Sequence, residues 1–288
     1  MNQPGISVIV PTFNDSAASS RCIAALKQQD YAGEIEIIVV DNGSLVPPTV
    51  PRDVTLLVER KPGSYNGRNC GMAAARHDIF AFTDADCRPH PQWLTNGVAA
   101  LQQINGVGLV GGRIVTVVDG AGVPTIPELF EVAIAFPQDT YIAHGRYAAT
   151  ANMITTRETM ERIGPFDGRL MSGGDKDWGC RVAAAGLALI YAADACVDHP
   201  ARGSHDDVRR KVRRIVGGER DRRPSWRQAS VFMARHMLPP RTRIGAVLRL
   251  HDVPFGRRLL VACYCVLINW TYAFDRLALQ LRKSASER

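Results

Sequence analysis

The sequence lacks the motifs and segments that would assign it directly to several common classes of protein. It contains neither GxGxxG nor GxxxxGK(S/T), which argues against a dinucleotide-binding Rossmann domain and against a P-loop protein. Residues 1–10 have no basic stretch followed by an apolar one, so we expect no secretory signal. The seven cysteines show no paired metal spacing, and their odd number favours free thiols in a reducing, cytoplasmic compartment.

Composition and charge indicate a folded protein with an anionic partner. Hydrophobic residues make up 46% of the 288 residues and charged residues 22%, which allows one large α/β domain or two small ones. The formal net charge of +7 suits a phosphate-bearing substrate, a nucleic acid or an acidic membrane surface. Charge alone does not choose among these partners, since a solvated basic face is common in proteins of this size.

Apolar, β-branched runs alternate with helical patterns along the first 110 residues. Strands are predicted at residues 6–10, 35–40, 54–59 and 79–83, and helices at 19–29, 69–76 and 93–103. This alternation predicts βαβ units, and therefore an α/β fold with a Rossmann-like, mostly parallel central sheet flanked by helices. The alternation fades after about residue 111, and residues 243–282 are again helical in character.

Polar side chains follow three of the predicted strands. They are Thr12, Asn14 and Asp15 after the first strand, Asp41 after the second, and Asp84 and Asp86 after the fourth. Ligands of open parallel sheets bind beyond the carboxyl ends of the strands, so these side chains are candidates for one site. Two carboxylates two residues apart can hold Mg²⁺ or Mn²⁺, although a solvated turn has the same pattern. Asp41 can bind a base or ribose, or can form an Asx turn with Asn42 and Gly43; the two roles are compatible.

A glycine-rich segment, KPGSYNGRNCG, precedes the second predicted helix. Gly63 and Gly67 permit a close approach of the backbone, and Lys61 and Arg68 supply positive charge. The planar guanidinium of Arg68 offers several donors to a phosphate or a carboxylate.

Five motifs occur in a fixed order along the chain: SVIVPTFND, VVDNGS, GSYNGRNCG, FTDADC and GGDKDWGCR. Their order and spacing over roughly residues 5–200 resemble the family 2 glycosyltransferases, which are inverting enzymes with the GT-A fold. The resemblance implies a nucleotide-sugar site made of Pro11, Thr12, Phe13, Asp15, Asp41, Lys61, Arg68 and Asp84. Within that site it assigns Asp41 to the base, commonly uracil, Asp84 to the ribose side, and Asp86 to a divalent metal, Mn²⁺ or Mg²⁺.

The catalytic base implied by the resemblance is Asp175, which matches the aspartate of the family's "ED" element. The preceding position is usually glutamate and is Gly174 here, which removes a neighbouring acid from the acceptor side. The spacing to Arg181 fits the family pattern. Asp177 is the alternative base, but on a helix it lies about 200° around from Asp175, so the two cannot face the same substrate.

The resemblance also suggests residues for the acceptor and for the metal. Asn152 and Trp178 are candidate acceptor contacts, and Trp178 is at least as well suited to the core. His199 is a candidate third metal ligand, since a neutral imidazole binds such cations, and His205 is its competitor.

These features together predict a metal-dependent inverting glycosyltransferase that moves a sugar from a nucleotide-diphosphate sugar, with UDP as the expected nucleotide, to a hydroxyl acceptor. A lipid-linked or saccharide acceptor, as in surface polysaccharide or glycolipid synthesis, is expected, and a nucleic acid partner is not. One alternative is a sugar-phosphate nucleotidyltransferase, although the loop after the first strand has no glycine and no basic residue before Arg21. The other is a non-catalytic membrane or nucleic-acid binding protein, against which the intact acidic residues argue.

The expected organisation has three parts. Residues 1–110 would bind the nucleotide sugar, residues 111–200 would supply the acceptor site and base, and residues 201–288 would form a basic, helical extension. Within that extension, residues 259–274 carry no charge but are shorter than the roughly 20 residues needed to span a bilayer. We expect this segment to dock on the inner membrane surface without spanning it; packing against the protein itself or a partner is the alternative.

Overall fold

Residues 3–134, 136–218 and 226–286 are described by a computed structural model, in which the chain divides into two units. The first unit comprises Met1–Val115 and Phe136–His199, and the second comprises Thr116–Ala135 and Pro200–Arg288. Residues 116–135, which the sequence analysis grouped with the acceptor part, therefore belong with the C-terminal helices.

One mixed sheet of eight strands organises the first unit. The strands are β1 (Ile6–Thr12), β2 (Ile35–Asp41), β3 (Thr55–Val58), β4 (Ile79–Thr83), β5 (Arg88–Pro89), β6 (Gly108–Val117), β7 (Asn152–Thr156) and β8 (Ala188–Pro200). Their order across the sheet is β3-β2-β1-β4-β7-β6-β8-β5. The pairs among β3, β2, β1 and β4 are parallel, whereas β7 runs antiparallel to β4 and β6, and β5 antiparallel to β8. The α/β fold class is confirmed, and parallel pairing is found in the half of the sheet that holds the four strands predicted from the sequence.

The register of the parallel strands brings their polar ends together. Thr12 is paired with Asp41 across β1 and β2, and Ile9 is paired with Phe82 across β1 and β4. The carboxyl ends of three neighbouring strands therefore lie at one edge of the sheet. The acidic residues that follow those strands are brought to the same edge, as the strand pattern predicts.

Helices flank the sheet and form most of the second unit. They are α1 (Ser16–Leu26), α2 (Ser64–Ala74), α3 (Trp93–Gln103), α4 (Ile126–Ile134), α5 (Gln138–Thr140), α6 (Arg157–Ile163), α7 (Gly174–Ala184), α8 (His205–Gly218), α9 (Trp226–Met237), α10 (Arg241–Leu248) and α11 (Phe255–Ser286), with a π-helical turn at Tyr141–Gly145. In the first unit, Val8 and Val10 of β1 enter one apolar cluster while Ile9 enters the other. Both faces of the parallel strands are thus covered, which explains their continuous apolar sequences.

Glycine lets α2 approach the sheet closely. A Cβ atom on Gly71 would lie 2.6 Å from Ile9 Cγ2, and one on Gly67 would lie 3.3 Å from the Pro11 Cβ. These two glycines are one helical turn apart and face the ends of β1 and β2. The close approach fixes the position of Arg68, which lies on the same helix.

The second unit has a separate core built from α4, α8, α10 and α11. Its buried side chains are Leu129, Phe130, Val208, Val212, Val216, Val247, Val261, Cys265 and Ile268. A buried carboxylate, Glu131, accepts hydrogen bonds from Arg202 at 2.7 Å and from Lys211 at 2.8 Å. Among the described residues, no helix combines the length and the apolarity that crossing a membrane requires.

Candidate active site

The acidic turn after β4 anchors the site to the sheet. Ala85 is buried in the core, whereas the carboxylates of Asp84 and Asp86 on either side of it are partly exposed. The Cys87 N–H closes the turn on the Asp84 carbonyl at 3.0 Å. One buried alanine therefore fixes two carboxylates that face solvent at the edge of the sheet.

Arg68 is paired with a carboxylate rather than left free for a phosphate. Its side chain is buried, and its Nη2 donates a hydrogen bond to Asp84 Oδ1. The same guanidinium lies over the ring of Tyr65, 5.5 Å from the ring centroid. A buried charge requires such a partner, so Arg68 and Asp84 form one unit.

Asp41 ends β2 as a fully buried side chain. Both of its oxygens accept the Ser44 N–H, at 3.2 and 3.3 Å, so the side chain holds the turn that follows β2. Asn42 was not predicted as a functional residue. Its amide bonds the carbonyls of Glu59 and Lys61 and accepts the Gly63 N–H, so it holds the loop before α2 against the end of β2.

The residues of the first strand's loop are divided between burial and exposure. Pro11 and Thr12 are buried, and the Thr12 hydroxyl lies 2.7 Å from that of Ser19. Phe13 is 61% exposed, which leaves its ring available to a ligand. Asp15 is the N-cap of α1 and accepts the Ala18 N–H at 3.0 Å.

Asp86 and His199, the two candidate metal ligands, lie close to each other. His199 is buried at the end of β8, and its Nε2 lies 3.8 Å from Asp86 Oδ2. The Cys87 thiol completes a group whose potential ligand atoms all lie within 4.8 Å of one another. Burial and the negative charges of Asp86 and Asp84 raise the pKa of that thiol, so it is a poor ligand for a hard cation. The imidazole and carboxylate fit Mn²⁺ or Mg²⁺.

A second group of potential ligands lies on the opposite face of β8. Successive residues of a strand point to opposite faces, so Cys196 and Asp198 project away from His199. His90 joins them, with its Nε2 2.9 Å from Asp198 Oδ1. His205, the other candidate ligand, lies in the second unit at the start of α8, where it contacts Tyr264.

Asp175 lies in the first turn of α7, close to Tyr65. Its Oδ1 accepts the Lys176 N–H at 2.8 Å and the Tyr65 hydroxyl at 3.3 Å. Burial raises the pKa of the Asp175 carboxyl, opposed by the Lys176 N–H, the charge of Arg68 and the Tyr65 hydroxyl. A carboxylate with a raised pKa is a stronger proton acceptor, which is the property a general base requires.

Asp177, the alternative base, has a structural partner. Its Oδ2 accepts the Arg181 Nε–H at 3.1 Å, one helical turn away. The remaining Arg181 donors bond the carbonyls of Ile163 and Pro165 at 2.7 and 2.8 Å. The spacing that the sequence analysis used to place Asp175 therefore reflects a pair between Asp177 and Arg181 that ties α7 to the end of α6.

The two weak acceptor candidates, Asn152 and Trp178, are fully buried. The Asn152 amide bonds the carbonyls of Arg113 and Ala195, each at 2.8 Å, and its oxygen accepts the Trp93 indole N–H. The Trp178 indole donates to the Gly164 carbonyl at 2.9 Å. Every polar group of these two side chains is satisfied inside the protein, so neither is exposed to an acceptor.

One chain of contacts joins the strand-end acids to Asp175. It runs from Asp84 to Arg68, then across the Tyr65 ring to the Asp175 carboxylate. Lys61 is exposed outside this chain. Tyr65 cannot be singled out from the sequence, because it contacts Asp175 and Phe166, both more than 100 residues away along the chain.

The mixed sheet, with paired aspartates at a parallel strand end and a further carboxylate at a helix start, agrees with the GT-A fold of a glycosyltransferase. A family profile described as glycosyl transferase family 2 matches residues 7–144. The glycosyltransferase AglE of Haloferax volcanii is 33% identical over 220 residues, which cover 73% of this chain and 71% of that protein. The chain therefore belongs to glycosyl transferase family 2, which decides against the nucleotidyltransferase and non-catalytic alternatives.

Two further similarities extend this finding. The pre-mycofactocin glycosyltransferase of Mycobacterium tuberculosis is 28% identical over 208 residues, which cover 68% of this chain and 43% of that protein. Among solved structures, the mannosyltransferase PcManGT from Pyrobaculum calidifontis, in complex with GDP-Man and Mn²⁺, superimposes with a TM-score of 0.59. The superposition covers 100% of this chain and 89% of the PcManGT chain. The sequence identity is only 19%, so this similarity shows a shared fold.

Proposed function

We propose that the chain is a metal-dependent, inverting glycosyltransferase that moves a sugar from a UDP-sugar to an acceptor hydroxyl. The observation that carries this proposal is the contact chain from Asp84 through Arg68 and Tyr65 to Asp175, beside the pair of Asp86 and His199. It supplies a donor side and a proton acceptor within one unit of the protein.

The donor side is assigned to the edge of the sheet. Asp86 and His199 would hold Mn²⁺ or Mg²⁺. The bound cation would neutralise the negative charge of the diphosphate leaving group. The Asp41 carboxylate, already fixed by Ser44, would accept the single N–H of a uracil base. Asp84, oriented by Arg68, would bind the ribose, and the exposed ring of Phe13 would cover the nucleotide.

The acceptor side is assigned to Asp175. Within the described part of the chain, Oδ1 of this carboxylate accepts hydrogen bonds from the Lys176 N–H and the Tyr65 hydroxyl. Oδ2 would then take the proton of the acceptor hydroxyl. As it loses its proton to Asp175, the acceptor hydroxyl oxygen attacks the anomeric carbon from the side opposite the leaving group, and the bond between that carbon and the diphosphate oxygen breaks. A single displacement of this kind inverts the anomeric configuration.

A donor screen tests the proposed reaction. Purified protein is incubated with Mn²⁺ and a panel of UDP- and GDP-sugars, and release of the nucleoside diphosphate is measured with and without a metal chelator. We expect release from a UDP-sugar that the chelator abolishes, and a product of inverted configuration by NMR. Release from GDP-sugars alone would contradict the uracil assignment, and chelator-resistant release would contradict the metal requirement.

We further propose that the second unit docks on an anionic membrane surface, next to a lipid-linked or growing saccharide acceptor. One face of α11 exposes large apolar side chains, Phe255 and Leu259 in its first two turns and Leu267, Trp270 and Phe274 about two turns further on. This stripe extends for roughly 28 Å along the helix. Residues 201–288 hold 20 lysines and arginines against seven acidic residues, whereas the first 200 residues carry a net negative charge. An apolar stripe in a basic unit suits attachment to anionic lipids.

A further inference from the structure

Gly174 occupies a position where no side chain fits beside Tyr65. A Cβ atom on Gly174 would lie 2.7 Å from Tyr65 Cε2, 2.8 Å from its Cδ2 and 2.9 Å from its Cζ. Such distances are well inside van der Waals contact, so the ring would have to move. The Tyr65 side chain thus fills the space that a larger residue at position 174 would need.

The Tyr65 ring is not free to move. It is buried, with the Phe166 ring centroid at 5.8 Å and the Arg68 guanidinium at 5.5 Å. Arg68 is itself held by Asp84. Arg68, bonded to Asp84 at the end of β4, therefore holds the ring on one side, while the Tyr65 hydroxyl reaches Asp175.

The Tyr65 hydroxyl acts on one oxygen of Asp175 only. Burial and the charge of Asp175 raise the pKa of the Tyr65 phenol, so it stays protonated and donates its hydrogen. The bond falls on Oδ1, the oxygen that also accepts the Lys176 N–H. Two donors on Oδ1 fix the carboxylate and present Oδ2 to the acceptor.

We propose that Tyr65 and Gly174 form a matched pair that replaces the acidic neighbour of the base: Gly174 makes the space, and Tyr65 fills it and positions Asp175. This inference rests on the proposed function of Asp175 as the base. It accounts for the one departure from the family pattern at the catalytic motif, since a glutamate at position 174 would collide with the ring. Tyr65 is a positioning residue, because it acts through Asp175.

The pH profile of transfer reports this role. The groups that influence the Asp175 carboxyl are Tyr65, Arg68, Asp84 and the Lys176 N–H, and Tyr147 lies near enough to be affected by it. Removing the Tyr65 hydroxyl removes a donor that stabilises the carboxylate. The pKa of Asp175 then rises further, and the acidic limb of the kcat/KM profile moves to higher pH.

The first test is Tyr65→Phe, which keeps the ring and deletes the hydroxyl. We expect kcat at neutral pH to fall roughly tenfold with the donor KM unchanged, since a hydrogen bond to a charged group is lost. The matched control is Tyr31→Phe, which deletes another hydroxyl that bonds a backbone carbonyl, that of Pro4. An acidic limb that moves equally in both variants, or in neither, would overturn the positioning role.

The second test measures the shared space without any substrate. Gly174→Ala is made in the wild type and in Tyr65→Ala, and thermal unfolding of all four proteins is compared. In the wild-type background, we expect Gly174→Ala to lower Tm, because its Cβ collides with the Tyr65 ring. In the Tyr65→Ala background, we expect Gly174→Ala to leave Tm unchanged or to raise it, since alanine has a higher helix propensity than glycine. Equal shifts in both backgrounds would overturn the matched pair. Coupled shifts in a protein with no transferase activity would instead overturn the proposed function alone.

Discussion

Asp175 and Asp177 differ in their partners although they lie two residues apart on α7. Asp175 accepts a tyrosine hydroxyl and a backbone N–H at the edge of the site, whereas Asp177 is paired with Arg181. The two carboxylates can therefore be distinguished by substitution, because replacing Asp175 is expected to slow transfer and replacing Asp177 is expected to lower stability.

Asp175→Asn removes the proposed base and keeps the shape of the side chain. We expect donor binding to persist and the rate of transfer to fall by about 10²–10⁴-fold, the usual cost of losing a general base. The matched control, Asp177→Asn, is expected to keep most of the transfer rate and to lower Tm. Initial rates and donor titrations measure both effects, and a reversal of the two phenotypes would move the base to Asp177.

The raised pKa of Asp175 predicts the direction of two pH effects. As the pH falls through this pKa, the base becomes protonated, so we expect the acidic limb of kcat/KM to lie above the ordinary aspartate value of 3.8. A raised folded-state pKa also means that stability falls as the pH rises through it. Asp175→Asn should therefore raise Tm near neutral pH. A limb at or below 3.8, or a lowered Tm, would contradict this account.

At the residue scale, the sequence was informative where a side chain follows a strand. Asp41, Asp84 and Asp86 could be located because strand ends are readable from apolar runs. Tyr65 could not be located, because its proposed role depends on a glycine 109 positions later along the chain. The sequence offers two separate features: an aromatic residue in a glycine-rich segment, and a glycine at position 174 where the family usually has glutamate. Only the fold brings these two positions together.

At the scale of elements, the strands predicted in alternation with helices lie in the parallel half of the sheet, whereas the sequence indicates only short strands beyond residue 111, without their pairing. Local apolar runs were enough to find β1, β2 and β4 to within two residues. The position of β7 between β4 and β6 depends on a register between distant segments, which no local pattern encodes. The start of α2 was placed five residues late, since Gly63 precedes it without a side-chain cap.

Asn152 joins three elements of the antiparallel half, and its replacement tests that role. Asn152→Ala would leave the Arg113 and Ala195 carbonyls and the Trp93 indole without their bonds in a buried site. We expect the free energy of unfolding to fall by about 2–4 kcal/mol, measured by urea titration, since each unsatisfied buried group is costly. Asn96→Ala, which removes one bond to the Asp194 carbonyl, is the milder control. Equal losses would show that the Asn152 network carries no special stability.

At the scale of the whole molecule, charge is distributed unevenly along the sequence. The basic excess lies in the segment that forms most of the second unit, and the same unit exposes the apolar stripe of α11. The first unit holds all the residues assigned to the donor and the base. Attachment and chemistry are thus assigned to different parts of the chain, and each can be removed separately.

Flotation with vesicles of anionic lipid tests the attachment. We expect the full chain to float at low salt and less at high salt, because basic residues near the surface contribute roughly 1 kcal/mol each and are screened. The double variant Leu259→Glu with Leu267→Glu places charge on the apolar stripe and should remain unbound. Val58→Glu alters an exposed apolar residue of the first unit and is the matched control. Failure of the wild type to float, or flotation of the double variant, would exclude the membrane surface.

Nucleotide binding by this protein is proposed to require a divalent cation held by Asp86. The most direct measurement is the thermal stabilisation of the protein by UDP and by GDP, with and without Mn²⁺, in three proteins: wild type, Asp86→Asn and Asp198→Asn. Asp198 is the matched control because it belongs to the ligand group on the opposite face of β8. In the wild type, a nucleotide at a hundred times its Kd should add about 2.7 kcal/mol of stability, and only when Mn²⁺ is present. We expect Asp86→Asn to lose this metal-dependent gain and Asp198→Asn to keep it. An undiminished gain in Asp86→Asn would show that Asp86 does not hold the cation.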